Sequence, residues 1–524
     1  MKKMYLWLIA ILFMPAVLLA QQKTVSGRVA DANNNPLAGV TVSASGTQRA
    51  GATTDNEGRF SISVPAGTTT LVFSFVGMAD ITETIGNRTV MNVTMRSGND
   101  QLTDVVVIGY GARRKETLTG SVTNITNKEI QTTTNVSLAQ KLQGKVAGLQ
   151  IRQLGGEPGT FDNSINIRGF GNNPLYVIDG VIRDGSGEFQ RLNADDIESI
   201  SFLKDASAAI YGFGAANGVI IVTTKKGNKG RAQFAYTGTV GWASPTDMPR
   251  MANAAEWMQL RNDADMLGRG APFITQEELQ KWIDGAPGYE STDWYDVAFK
   301  KSSVQQQHNL STSGGSEKTQ YYVGLMYVDE RSLLKTDDLG YKRYNFRANL
   351  TTELVPNLKA EVLVGGRYDK RYTPGENFFN IFKGTRVTLP TEKPYANNDP
   401  LYPAQVTPSN QNPLVLTNKD LTGYSETVNK NVQTTASLTY TVPFVKGLSL
   451  KGLAAYDMNN FQGKDVSRPY TLYNYAGGVY IPQPQRVGQA GISNGFGNFE
   501  RLTFQAHANY STTIAATDNV AGTL

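Results

Sequence analysis

The sequence predicts a mainly β chain in three parts: a small β-sandwich, a compact mixed α+β unit, and part of a transmembrane antiparallel β-barrel. Three observations predict it. Short alternating strands separated by turn clusters fill residues 23–97. Within residues 115–227, short strands, short helices and glycines crowd into Leu175–Lys226, a unit too small for a domain of its own. From residue 231 onward, long strands with one apolar face are joined by links that alternate between short and long.

Composition narrows the chemistry. Of 524 residues, 18% are charged, 52 are Gly and 24 are Tyr, a balance that suits a β-rich envelope protein. The net charge of +5 is small for this length and gives no case for nucleic acid. The chain has no cysteine, which excludes disulfides, thiolate metal sites and lipid attachment to an amino-terminal Cys. The two histidines, His308 and His507, both lie in strand-like runs without suitable neighbours. No catalytic residue, metal site or cofactor is therefore expected.

At the amino terminus, Lys2 and Lys3 precede an apolar run from Tyr5 to Leu19 that ends at Ala20-Gln21. That is the pattern of a secretory signal peptide over residues 1–20. The run is too short for a transmembrane helix, and no later stretch approaches 18 apolar residues. Any membrane span must be β.

In the sandwich, strands are expected at Thr24–Val29, Gly39–Ser43, Arg59–Val64, Thr70–Phe75 and Thr89–Met95, all antiparallel. Asp31-x-Asn33-x-Asn35 resembles the start of a calcium loop. Pro36 stands where that loop needs Gly and Val42 where it needs Glu, so a hairpin turn is the better reading. Residues 98–114 form a linker carrying Asp104-Val105-Val106-Val107-Ile108-Gly109-Tyr110. Its β-branched run favours an extended strand. Residue pattern alone leaves two readings open, an ordinary edge strand or a peptide that adds to a partner's sheet.

Within 115–227, Val136–Leu142 reads as a short helix, with Leu138 and Leu142 at i and i+4. Strands follow near Gly148–Ile151, Ser164–Arg168, Tyr176–Asp179, Glu198–Leu203 and Val219–Thr224. Gly180 makes a turn, Asn193 caps a helical turn over Ala194–Ile197, and Ala206–Tyr211 is another. Asp195, Asp196 and Glu198 could serve as acid/base carboxylates, but acidic residues belong in a first helical turn on electrostatic grounds. Gly212-Phe213-Gly214-Ala215-Ala216-Asn217-Gly218 nearly spells a dinucleotide loop. Its last Gly is one residue late and a strand follows in place of a helix. Both features read as structural.

Strands are then expected near 231–243, 303–314, 319–330, 342–354, 358–369, 431–442, 448–459 and 499–512. Links 244–302, 370–430 and 460–498 are long, whereas Gly315-Ser316-Glu317-Lys318, Pro356-Asn357 and 443–447 are short. Outer-membrane barrels show this asymmetry, with short periplasmic turns and long extracellular loops. Helices are expected at Ala252–Leu267 and Gln276–Ile283, and Trp242, Tyr344, Tyr368, Tyr440, Tyr456 and Tyr510 are candidates for an aromatic belt. Thr513–Asp518 reads as a further short turn, with a ninth strand from Asn519. Eight or so strands cannot enclose a folded unit, because barrel diameter grows with strand number, so residues 231–524 are expected to be an incomplete, truncated barrel.

Two resemblances carry the reading further. Val25-Ser26-Gly27-Arg28-Val29, Pro36-Leu37-Ala38-Gly39-Val40 and Thr54-Asp55-Asn56-Glu57-Gly58-Arg59-Phe60 resemble the carboxypeptidase-regulatory-like domain, which implies a transthyretin-like, non-catalytic sandwich over 23–97. Asn166-Ile167-Arg168-Gly169, Pro174 to Gly180, Asp196 to Ile200, Lys204 to Gly212 and Ala216 to Ile220 resemble the plug domain of SusC/RagA-type TonB-dependent outer-membrane transporters. Phe213-Gly214 departs from that pattern, where a small residue and an Arg are usual. Tyr295 and Gln307–Gly315 are similar to the family's early barrel.

The resemblance implies a Ton box at Asp104, Val105, Val106, Val107, Ile108, Gly109 and Tyr110. It implies a plug motif of Arg168, Gly169, Tyr176, Asp179, Gly180, Lys204, Asp205, Tyr211, Gly212, Asn217 and Gly218. It also implies active import in the outer membrane of a Gram-negative cell, with the amino-terminal domain in the periplasm. The implied partners are TonB with ExbB and ExbD, a SusD-like surface lipoprotein, a glycan or peptide ligand and outer-membrane lipid. Two other classes compete: a ligand-sensing receptor that signals through its amino-terminal module, and a soluble carbohydrate-binding β protein. The first needs βαβ periodicity in that module, and the second a catalytic or soluble carboxy-terminal half.

Overall fold

The computed structural model describes residues 23–523, apart from 32–33, 45–50, 66–67, 76–77, 79, 96–104, 109–110, 115–120, 170, 172, 184, 409–410 and 516–517. The expected signal peptide at 1–20 therefore lies outside the described residues. Two compact units result, the amino-terminal sandwich and the body that follows.

The sandwich contains β1 (Lys23–Ala30), β2 (Thr41–Ala44), β3 (Gly51–Thr53), β4 (Arg59–Val64), β5 (Thr70–Ser74), β6 (Ile81–Thr84) and β7 (Val90–Thr94). One sheet runs β4-β1-β7 and the other β3-β2-β5-β6. Alternation in β4 buries Phe60, Ile62 and Val64 against Val25, Val42, Leu71 and Phe73. Phe60 and Phe73 meet edge to face at 5.2 Å. Each such side chain contributes about 1.5–3 kcal/mol by burial. The expectation of an all-antiparallel sandwich is corrected at one pair. β7 lies parallel to β1, because the chain passes through the second sheet before returning beside its first strand. Alternation reports which face a residue takes, not which way its strand runs.

Next come β8 (Val105–Ile108) and β9 (Gly111–Arg114), paired as a two-stranded sheet. The compact α+β unit follows with β10 (Val122–Thr126), β11 (Leu149–Arg152), β12 (Ser164–Ile167), β13 (Leu175–Ile178), β14 (Val181–Arg183), β15 (Ile197–Leu203) and β16 (Val219–Thr224). Its main sheet has the order β10-β15-β16-β13-β14, with β13 and β16 parallel. The run Val219–Val222 is apolar without alternation because β16 is covered on both faces. Ile220 and Val222 pack with Ile178, Ile200, Phe202, Leu138 and Leu142 on one side. Val219 and Ile221 pack with Val177, Leu203 and Tyr211 on the other. The sequence expectation omitted β10, β14 and the short helix Ser186–Gln190.

The wall is a meander of β17 (Gly230–Ala243), β18 (Ser303–Gly315), β19 (Thr319–Arg331), β20 (Gly340–Val355), β21 (Leu358–Pro374), β22 (Gly423–Thr441) and β23 (Leu448–Ser467). A hairpin of β24 (Thr471–Ala476) and β25 (Val479–Pro484) interrupts it before β26 (Gly491–Ala515) and β27 (Asp518–Thr523). Neighbours in the nine-stranded sheet are consecutive and antiparallel, with β26 paired directly to β23. Alternation is strict on β20: Tyr344, Phe346 and Leu350 are exposed, whereas Arg343, Arg347 and Asn349 are buried.

Each expected strand is present, but β20 to β26 extend further toward the long loops than expected. In that overhang both faces are polar, as in Ser425-Glu426-Thr427 of β22, so period two carries no hydrophobic signal. The long loops fold. Helices Ala254–Arg269 and Gln276–Asp284 replace the slightly displaced sequence expectation, and Asn253 and Thr275 cap them by accepting from Glu256 and Glu278 backbone N–H groups.

Candidate functional site: the plug and wall interface

The central hairpin of the α+β unit is built by Asp179-Gly180. Ile178 pairs with Val181, and the two turn residues take φ of 52° and 83°. An Asp-Gly pair with both residues at positive φ is the hairpin turn whose twist matches its strands. The turn aims the Asp179 carboxylate back at β16, where it accepts from the Thr224 backbone N–H at 2.9 Å and from Thr224 Oγ1 at 2.9 and 3.0 Å.

From this hairpin outward, buried charges meet the inner face of the wall at several levels. Arg183 Nε lies 3.0 Å from Asp457 Oδ1, and its guanidinium also donates to Thr435 Oγ1 and to the Ile178 carbonyl. Arg347 on β20 reaches Asp179 at 3.5 Å and Asp196 at 3.8 Å. Tyr322 donates to Asp196 at 2.8 Å, and Asn349 donates to Thr224 Oγ1 and to the Lys225 carbonyl. Arg367 grips Glu188 through two bonds of 2.6 and 2.9 Å, and Lys226 pairs with Glu361 at 2.9 Å. Toward the long loops, Arg343 donates to the Val136 carbonyl and Arg371 to the Pro158 carbonyl. Small apolar contacts, Val181 with Leu453 and Ala455 and the Phe161 ring against the Tyr341 ring at 5.4 Å, interrupt a mostly polar interface.

Burial pushes the Asp196 carboxyl above its ordinary range, opposed by Arg347 and Tyr322. Burial likewise lowers Arg183 against the pull of Asp457. The approach of Asp196 fixes a residue across the interface. A Cβ at Gly324 of β19 would stand 2.3 Å from Asp196 Oδ1, so the wall needs glycine there.

The residues singled out from sequence fall into two groups. Asp179 and Gly180 stand at the interface. The others shape the unit itself. Arg168 and Gly169 both take positive φ, and the Arg168 N–H donates to the Gly148 carbonyl at 2.7 Å. Tyr176 is buried and stacks on Phe189 at 5.0 Å. Lys204 donates to the Ala147 carbonyl at 2.6 Å, and burial lowers its pKa. Asp205 caps Ala206–Tyr211 by accepting from Ser207 N–H and also accepts from Ser121 N–H. Tyr211 is buried, Gly212 turns the chain, and Asn217 is half-buried. A Cβ on Gly218 would press within 2.9 Å of Ile167 and the Leu203 carbonyl. Of the residues expected to form a Ton box, Val105, Val106, Val107 and Ile108 form β8, and Asp104, Gly109 and Tyr110 lie outside the described residues.

One sequence reading changes. Asp195 and Asp196 do lie in a first helical turn capped by Asn193, but the Asp196 side chain turns to Tyr322 and Arg347 of the wall. Sequence reasoning also missed Arg183, Glu188, Lys226, Arg347, Arg367 and Asp457. For Arg183, Arg347, Arg367 and Asp457 the available signal was charge at inward-facing strand positions, which is expensive to bury unless a partner waits there.

Comparison with known proteins agrees with this architecture. Residues 25–108 match the CarboxypepD_reg-like domain and residues 114–219 the TonB-dependent Receptor Plug Domain. TonB-dependent receptor P26 of Formosa agariphila is 33% identical over 388 residues, covering 72% of this chain and 37% of that protein. TonB-dependent receptor SusC of Bacteroides thetaiotaomicron is 33% identical over 421 residues, covering 76% and 39%. The chain thus spans under two fifths of the length of these curated relatives. The RagAB peptide importer in its open-open state shares the fold, with a TM-score of 0.65 and 23% identity over 80% of this chain and 48% of that one. With a plug seated on the inner face of a strand meander and these relatives beside it, the chain belongs to the SusC/RagA-type TonB-dependent receptors.

Proposed function

We propose that the protein imports a nutrient, an oligosaccharide or a peptide, across the outer membrane by displacement of its plug. TonB, driven by ExbB and ExbD, engages Asp104–Tyr110 and pulls; a SusD-like lipoprotein closes over the long loops and holds cargo above the plug. The observation that carries this reading is the polar character of the plug and wall interface. Ion pairs and hydrogen bonds broken by displacement are replaced by water, whereas an apolar interface of the same extent would resist separation at about 25 cal/mol per Å². The Val-rich β8 supports strand addition as the mode of engagement, since among the described residues it pairs with β9 alone and its other edge carries no strand. Deleting Asp104–Tyr110 from the full-length protein should abolish energised uptake while leaving ligand binding at the cell surface intact. Uptake that survives the deletion would overturn the proposal.

A further inference from the structure

Just beyond the apolar band, the lipid-facing side of the wall changes character. Tyr327, Tyr344 and Tyr368 stand opposite one another on β19, β20 and β21, with ring centroids 5.0 and 6.2 Å apart along the row. Below them the same face carries Phe346, Leu350 and Val362, all exposed. A tyrosine row closing an outward apolar band marks the membrane–water interface. Two residues further toward the long loops, Lys342 lies directly opposite Lys370, and Lys430 lies opposite Tyr368.

Like charges directly opposite on adjacent strands are destabilising, so this arrangement needs an anion to offset it. The acidic neighbours do not supply one for every lysine. Glu426 pairs with Lys370 at 2.7 Å. Asp329, across from Lys342, is buried and takes Gln306 at 3.3 Å and Arg331 at 3.9 Å. Lys342 and Lys430 are exposed and form no ion pair among the described residues.

We propose that Lys342, Lys370 and Lys430 bind the phosphate-bearing headgroup of an outer-leaflet lipid whose acyl chains lie along the apolar band below the tyrosines. Position selects a lipid over a soluble phosphate: the lysines crown a surface that hydrocarbon already covers, and each adds electrostatic attraction at headgroup depth. The inference rests on the reading of this sheet as membrane-spanning.

The test uses full-length protein extracted from outer membranes, stripped of lipid in detergent and titrated with monophosphoryl lipid A or with phosphatidylcholine, bound lipid being counted by native mass spectrometry. Wild type should hold monophosphoryl lipid A preferentially. Lys342→Gln, Lys370→Gln and Lys430→Gln should each weaken that binding about fivefold, and the triple variant should hold both lipids alike. A triple variant that retains the preference would overturn the proposal, as would full competition by glucosamine phosphate, which lacks acyl chains. A wild-type protein absent from the membrane fraction would overturn the import reading with it. One that inserts but holds both lipids alike overturns the lipid site alone.

Discussion

Arg347 ties two separate parts of the plug to one strand of the wall, the hairpin turn through Asp179 and the helical turn through Asp196. Both carboxylates are almost wholly buried, so removing the guanidinium takes away the opposite charge beside each and leaves them only neutral donors from Thr224 and Tyr322. Arg347→Ala should cost about 3–5 kcal/mol of plug docking, read as faster amide exchange at Thr224, whose N–H is held by Asp179. A variant with unchanged exchange there would show that the interface is held elsewhere. Asp205 gives a pH test. The Ser121 and Ser207 amides hold its carboxyl below the ordinary carboxylate range. Its contribution is therefore complete above about pH 4 and is lost as pH falls through the lowered folded value. Protection of the Ser207 amide, its exchange relative to a free peptide at the same pH, should fall only under that acid condition, and a fall near neutrality would contradict the assignment. Glycines at turns were legible in sequence because positive φ selects them. Arg347 was not, because its partners lie 168 and 151 positions away in the chain.

Among elements, the β13–β14 hairpin has turn chemistry that can be read directly from two residues. Gly180 takes φ of 83°, where a β-branched side chain is strained by roughly 1–2 kcal/mol. Gly180→Val should therefore loosen the hairpin and misalign Arg183 from Asp457, seen as loss of exchange protection at Val181 with the β15–β16 pair left intact. Protection equal to wild type at Val181 would refute the role given to the turn. The long wall strands were legible from period two wherever one face meets lipid and the other meets polar groups. Their overhangs, and brief pieces such as β14, carry no such contrast and were under-read.

For the whole molecule, the alternation of short and long links was legible and placed the meander in order, because hairpin turns and loops differ in length for topological reasons. The parallel return of β7 beside β1 was not legible, since side-chain alternation has no direction. These 524 residues contain no cysteine, so within them an introduced pair can be joined selectively to test plug movement in the full-length protein. Cysteines replacing Glu188 and Arg367, joined by a reducible bifunctional thiol reagent, should stop uptake while ligand binding persists, and reduction should restore it. Uptake through the joined protein would mean that the plug opens without leaving this contact.

The polarity of the plug's seat has a thermal consequence. Moving the plug as a body hydrates mostly charged and hydroxyl groups, which leaves heat capacity nearly unchanged or slightly lower. Unravelling the plug would instead hydrate the core of Ile178, Ile200, Phe202, Ile220 and Val222 and raise heat capacity strongly. The curvature of the opening rate with temperature thus carries the signature of the route, straight for a rigid shift and bowed for an unravelled one.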